Sequence, residues 1–322
     1  MNPIGGYFEL ELPQRSEYHS TAIALNTGRN ALEYILRVRG YKHVYLPYYS
    51  CDVLLEPFKK LNVKYSFYHI NEILELYECI HLTDGEAILY VNYFGLKQSY
   101  VKDLASQFGK RLIVDNTQAF YAQHIQGIDT FYSCRKFFGV ADGAYLYCDQ
   151  PLDMELEQDQ SWHRMGYLLK RIDISPEAAY NDFRDESVKL KQNPIRTMSQ
   201  LTHRIMASID YGQAAERRRE NYRSLDETLK TRNRISLPLA DDAVPMVYPY
   251  LVDYGARLRK YLIDHYVFCA CYWPNVLDWC ILGDMENGLT QNLVSLPVDQ
   301  RYDDHDMQVI LDMLAINSDS IM

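Results

Sequence analysis

The chain has 322 residues, 48% of them hydrophobic, enough for one large domain with a core and a smaller one beside it, which excludes a disordered chain. Its 33 basic against 43 acidic residues give a formal net charge of −10, the opposite of the basic stripe that a nucleic-acid surface needs. The seven cysteines form no C-x-x-C pair and have no histidines at metal-ligand spacing, which fits a reduced, cytosolic protein without structural zinc.

Glu9 and Glu11 interrupt the stretch 1–12, where a signal peptide would need an apolar core, and no later run approaches the roughly 18 apolar residues of a membrane helix. A soluble, unexported protein is expected. The pattern then predicts a helix over 28–38, a strand over 43–46, a helix over 52–61 and a strand over 63–68. A strand over 87–92, a helix over 99–108, and strands over 112–115, 129–133 and 144–148 follow. Alternating helix and buried strand implies an α/β fold with a mostly parallel sheet covered on both faces, whose ligands bind at the carboxyl ends of the strands. After Gln150 the composition turns helical, with one long helix expected from 198 to 230; its Glu216-Arg217-Arg218-Arg219-Glu220 run reads as a solvated face. Pro238, Pro245 and Pro249 interrupt the pattern. A small α/β segment follows, with strands over 246–252, 267–272 and 293–296 and helices over 256–265 and 304–315. The expected division is a large domain over 1–230, with a helical extension over 151–230, and a smaller α/β domain over 231–322. Of the 28 tyrosines, Tyr45, Tyr90, Tyr132 and Tyr145 lie in apolar runs and read as core or subunit-interface residues.

Leu112-Ile113-Val114-Asp115 delivers a carboxylate to one strand end, and Phe131-Tyr132-Ser133-Cys134-Arg135-Lys136 delivers an amine to the end of the next. Pyridoxal phosphate needs that pair: a carboxylate to keep its ring nitrogen protonated, and an amine to condense with its aldehyde. Alone, Asp115 reads as a turn cap and Lys136 as a solvated lysine; their order and spacing point to the cofactor. Apolar residues on both sides of Lys136 favour the neutral amine that attacks an aldehyde. Gln118 offers a donor to the ring hydroxyl, and Ser133 a hydroxyl to the phosphate. Thr27-Gly28-Arg29-Asn30 opens the first helix, where free amides and the dipole favour an anion. Neither G-x-G-x-x-G nor G-x-x-x-x-G-K-[ST] occurs, so dinucleotide and nucleoside-triphosphate fingerprints are absent. Cys134 reads as a packing residue.

On these residues the chain resembles the DegT/DnrJ/EryC1/StrS family, the sugar aminotransferases of pyridoxal-phosphate fold type I. The resemblance runs through Gly28-Arg29-Asn30-Ala31-Leu32, Leu46-Pro47-Tyr48-Tyr49-Ser50-Cys51, Asn92-Tyr93-Phe94-Gly95 and Asp115-Asn116-Thr117-Gln118-Ala119. It continues in Gly127-Ile128-Asp129, Ser133-Cys134-Arg135-Lys136, Arg196-Thr197-Met198-Ser199, Arg218-Arg219-Glu220-Asn221-Tyr222 and Leu296-Pro297-Val298-Asp299. It implies that Asp115 pairs with the ring nitrogen, Gln118 faces the ring hydroxyl and Lys136 holds the cofactor covalently. Gly28 and Arg29 would offer backbone amides to the phosphate, joined by Ser133. It further implies a homodimer with sites at the subunit interface, a residue near 193–196 reaching the neighbouring site. Several features depart from the family pattern. The connection between Asp115 and Lys136 is short, and Ser133 stands nearer the lysine than in many members. Asp142-Gly143-Ala144 replaces a common Gly-Glu-Gly-Gly, and Cys51 takes a slot where an aromatic often stacks on the ring, a role open to Tyr48 or Tyr49 from a shifted position. The chain's compact length suggests trimmed substrate loops.

The expected activity is transamination from glutamate to a keto-sugar carried on a nucleotide, in polysaccharide or glycan assembly, without nucleic-acid or membrane partners. Relatives with histidine in place of the lysine dehydrate sugars, which ranks a dehydratase below an aminotransferase here. A non-catalytic scaffold that keeps the fold is the other alternative; retention of Asp115, Gln118 and Lys136 together argues against it.

Overall fold

A computed structural model describes residues 4–317, so the N-terminal stretch and the smaller domain read from the sequence extend beyond it at 1–3 and 318–322. The first half comprises β1 (Ile23–Leu25), α1 (Gly28–Arg39), β2 (His43–Pro47), α2 (Leu55–Leu61) and β3 (Lys64–Tyr68). It continues with β4 (Glu86–Val91), α3 (Gln98–Phe108), β5 (Leu112–Asn116), β6 (Asp129–Ser133) and β7 (Ala144–Tyr147). The seven strands form one sheet in the order β1-β7-β6-β5-β4-β2-β3. β2 to β6 are mutually parallel, and β7 and β1 close one edge antiparallel. The expected α/β class with a mostly parallel central sheet is what the structure has.

Local chemistry explains the elements. β5 is buried at every position, as a central strand covered on both faces must be. α1 begins where Thr27 accepts the Asn30 amide and ends at Gly40, whose φ of 63° supplies the left-handed cap. Between them Ala31, Leu32, Ile35 and Leu36 recur at helical spacing and are buried.

The second half contains α4 (Gly166–Asp173), α5 (Pro176–Lys189), α6 (Gln200–Met206), α7 (Tyr211–Leu229), β8 (Val247–Leu251) and α8 (Gly255–Asp264). α9 (Val276–Trp279), α10 (Met285–Asn292), β9 (Leu293–Pro297) and α11 (Asp304–Asn317) complete it. β8 and β9 pair antiparallel, and a second apolar core gathers around them from α7, α8 and α11, including Tyr222, Leu225, Tyr250, Leu258, Leu296 and Ile310.

Three expectations are corrected. The helix predicted over 198–230 is two helices. Ser199 caps α6 by accepting the Thr202 amide, and Asp210 starts α7 afresh by accepting the Gln213 amide, since such side chains compete with the helix ladder and favour caps. The strand predicted over 267–272 is irregular and meets β9 through one bridge, Ala270 to Ser295. The arginine run is not uniformly solvated: Arg217 pairs with Glu220 near the surface, whereas Arg218 points inward and is buried. Of the interior tyrosines, Tyr90, Tyr132 and Tyr145 are buried and Tyr45 is half-buried.

Candidate active site

Three parallel strands end side by side. β4 runs into Asn92, β5 into Asp115 and Asn116, and β6 into Ser133, after which the chain turns through Cys134–Lys136. Asp115 stands opposite Phe131 in the ladder, so the two share a face of the sheet, and Ser133 lies two residues further along that same face. The Phe131 ring also bounds the first turn of α1, lying 3.8 Å from the place a side chain on Gly28 would occupy. The ends of β5 and β6 and the N-terminus of α1 therefore lie against one another. That turn of α1 carries no acidic residue, leaving the positive end of the helix dipole unopposed.

Thr117, which sequence reading assigned no role, is the joint of the site. Its amide donates to Asp115 Oδ1 at 2.8 Å, its hydroxyl accepts from Lys136 Nζ at 2.8 Å, and its methyl group would lie 3.3 Å from a Cβ on Gly28. An aspartate that takes the amide two residues on is the familiar Asx turn, and that spacing was the available sequence signal.

Burial drives the Asp115 carboxyl above its usual range, against the opposing effects of Lys136 and Thr117. Burial likewise lowers Lys136, opposed by Asp115 and Cys51. Lys136 is exposed as a residue, while its amine is held against the Thr117 hydroxyl in partly buried surroundings. That combination suits a reactive amine: open to a ligand, and disfavoured as a cation.

Gln118 is wholly buried. Its Oε1 accepts the Phe94 amide at 3.1 Å, which fixes the amide's orientation, and Nε2 is left as a buried donor without a partner among the described residues. The Phe94–Gly95 turn that supplies this amide is tight: Phe94 has φ 58°, Gly95 has φ 76°, and a Cβ on Gly95 would lie 2.8 Å from the Val244 carbonyl.

The predicted residues thus come together, with distinctions. The Arg29 side chain turns away to Glu56 at 2.6 Å, so at the start of α1 only its backbone amide, with that of Gly28, is left for a ligand. Ser133 is half-buried at the end of β6. Cys51 follows β2 near enough to Lys136 for their charges to interact, and its thiol is pushed up by burial. Neither tyrosine suggested for ring stacking is free for it: Tyr48 stacks on Phe67 at 4.8 Å, and Tyr49 is fully buried against Trp273 at 5.0 Å. Segment 193–196 lies against its own α1, where the Pro194 carbonyl accepts from Asn26 and Asn30 at 3.1 and 2.8 Å. Asp142 is a buried acceptor that ties the β6–β7 turn to α6 through the Ser199 amide at 3.0 Å, the Ser199 hydroxyl at 2.9 Å and Thr202. Cys134 is buried with its thiol pushed well up, as a packing residue would be.

Pyridoxal phosphate fits this donor set. Asp115 would face the ring nitrogen, Lys136 would take the aldehyde, Gln118 Nε2 would be the donor left for the ring hydroxyl, and the start of α1 would meet the phosphate.

No protein-family model matches the chain, and no curated protein matches its sequence. Its fold, however, is that of solved aminotransferases. It is similar to the aminotransferase TlmJ from Streptoalloteichus hindustanus, with TM-score 0.64 and 16% identity over 94% of this chain and 86% of that one. A DegT DnrJ EryC1 StrS aminotransferase from Brucella abortus gives 0.59 and 14% over 91% and 85%. The PLP form of a sugar aminotransferase assigned in Streptococcus pneumoniae gives 0.62 and 15% over 94% and 88%.

Proposed function

We propose that the chain is a pyridoxal-phosphate-dependent aminotransferase that moves an amino group from glutamate to the keto group of a nucleotide-linked sugar. The observation that carries this reading is the joining of Asp115 to Lys136 through Thr117, with the unpartnered Gln118 donor, at the ends of adjacent strands. When bound, pyridoxal phosphate supplies an aldehyde and a ring that spreads developing negative charge. The Asp115 carboxylate holds the positive charge at the ring nitrogen in place, a preorganised electrostatic contribution. Lys136 would hold the group through its amine, and an amino donor would free that amine for proton transfer. Its Nζ then takes the proton from the donor's α-carbon, and the same amine returns a proton at the carbon of the acceptor. Gln118 Nε2 donates to the ring hydroxyl, and the Gly28 and Arg29 amides with Ser133 bind the phosphate.

The choice of glutamate and a sugar, and a place in polysaccharide or glycan assembly, rests on the sequence resemblance and the shared fold. A homodimer is supported by the apolar residues exposed on the α4–α5 hairpin beside the site. A cytoplasmic location is supported by the seven cysteines, all free. No helix among the described residues is long and apolar enough to cross a membrane.

The test is the visible absorption of the protein with pyridoxal phosphate, before and after glutamate. A band that fades with glutamate and is absent in Lys136→Ala is expected. Absence of any band in the unaltered protein would overturn the cofactor reading and favour a non-catalytic scaffold.

A further inference from the structure

α7 carries a dense run of charges, yet Arg218 is withdrawn from solvent, 1% exposed, and forms no ion pair among the described residues. Neutral acceptors satisfy it instead. Nε donates to Gln300 Oε1 at 2.8 Å, Nη1 to the Pro245 and Met246 carbonyls at 3.1 and 3.2 Å, and Nη2 to the Phe137 carbonyl at 3.5 Å. The guanidinium also lies 4.5 Å over the Phe137 ring. Burial brings its pKa down to about 10, with Asp299 opposing. A cation buried without a direct ion pair is costly, and an apolar side chain would pack there without that cost. The residues it holds indicate its use.

Phe137 follows Lys136 directly, and its carbonyl has a second donor, Gln300 Nε2 at 2.9 Å. Gln300 is oriented for this by Arg218, which occupies its Oε1. On the other side of the lysine, Cys134 is fixed by its amide to the Gly143 carbonyl at 3.0 Å, and its own carbonyl accepts the Phe137 and Phe138 amides at 3.1 and 2.9 Å. The turn bearing Lys136 is thus held before the lysine by the large sheet and after it by Arg218 and Gln300, from α7 and the chain following β9.

We propose that Arg218 and Gln300 form a clamp on the Phe137 carbonyl that positions the Lys136 amine for its reaction. The clamp rests on the reading of Lys136 as the reactive amine of the site. Arg218 and Gln300 are positioning residues; the carbonyl they hold lies one residue from the amine they serve. Released from the clamp, the Lys136 turn is free to swing the amine toward water, where it regains ordinary lysine behaviour.

The test is competitive acetic anhydride labelling of the full chain after any cofactor has been removed with hydroxylamine, read at Lys136 by peptide mass spectrometry across pH. In the unaltered protein the labelling midpoint lies below that of an ordinary lysine. In Arg218→Met it rises by about one unit, and in Gln300→Leu by about half a unit with melting temperature changed by less than ~4 °C. If Arg218→Met does not fold, Gln300→Leu decides, because Arg218 keeps its backbone acceptors in that variant. An unmoved midpoint in folded Gln300→Leu, or an ordinary lysine midpoint in the unaltered protein, overturns the clamp. Labelling needs no cofactor, so a shifted Lys136 in a protein that never takes up pyridoxal phosphate upholds the clamp and rejects the cofactor reading. Cofactor uptake with an unmoved Lys136 does the reverse.

Discussion

At Gln118 one half of an amide is used and the other waits. The Phe94 amide claims its oxygen, and a buried NH₂ group without an acceptor is a cost the fold carries until a ligand removes it. Gln118→Leu is expected to weaken pyridoxal phosphate binding about tenfold or more and, by stranding the Phe94 amide, to lower stability by about 1–3 kcal/mol. Absorbance titration and denaturant melts check both, and unchanged affinity would remove Gln118 from the site. Thr117→Val keeps the amide that holds Asp115 and deletes the acceptor of Lys136. Losing one such bond, about 1 kcal/mol, is expected to lower kcat about fivefold in a coupled assay with glutamate, and an unchanged rate would count against the joint. The placement of Asp115 and Lys136 at adjacent strand ends was legible in the sequence because strand period and residue type are written there. Thr117 and Arg218 were not. A threonine or an arginine gains its meaning from what three-dimensional packing sets against it, and neighbouring acids made Arg218 look like one more solvated charge.

Elements were read well where one period dominates. α1 and β6 fall where apolar spacing put them, whereas the α6–α7 break depends on two caps inside a pattern that otherwise reads as one helix. The short edge strand β1 gave no periodic signal, and the chain before it is fastened by two histidines of opposite character. His203 on α6 meets Glu17 at 2.6 Å, and that bond raises its pKa, so its contribution is full below the ordinary histidine value and is lost as pH climbs through the raised one. His19 is buried, with Nε2 2.7 Å from the Phe120 carbonyl and a pKa brought down to about 4 by burial; its contribution is full above the ordinary value and is lost as pH falls through about 4. Amide protection over 15–22, corrected for intrinsic exchange rates, is therefore expected to be greatest near pH 6.5 and to decline in both directions. Glu17→Gln should abolish the alkaline decline and soften the acid one, because, despite burial, the bonds from His203 and Tyr145 hold the Glu17 carboxyl below its usual range, a contribution lost as pH falls. Protection that is flat with pH in the unaltered protein would refute this account.

Across the whole molecule, the surface beside the site is unusually apolar. Leu169, Ile172, Ile174, Tyr180 and Val188 are exposed on the α4–α5 hairpin, which touches the residue before Lys136 through Arg135 and Ser187 at 3.4 Å. Sedimentation equilibrium is expected to give a dimer, and the double variant Leu169→Glu with Ile172→Glu to give monomers of reduced cofactor affinity; a monomeric unaltered protein would reject this. The alternation of helix and strand implied the parallel sheet, but not which surfaces would remain uncovered, because helical amphipathicity does not say whether a partner lies in the same chain. The Phe94–Gly95 turn carries a further consequence. Its two stays come from far along the chain: the Phe94 carbonyl accepts the Met246 amide at 2.9 Å, and Gly95 backs onto Val244. On the ribosome, every strand of the large sheet emerges before either stay has been made. Competence for the ligand is accordingly a late event in the birth of the chain, and a nascent or prematurely terminated product ending before residue 244 would carry Asp115, Gln118 and Lys136 without the means to hold Gln118 in register.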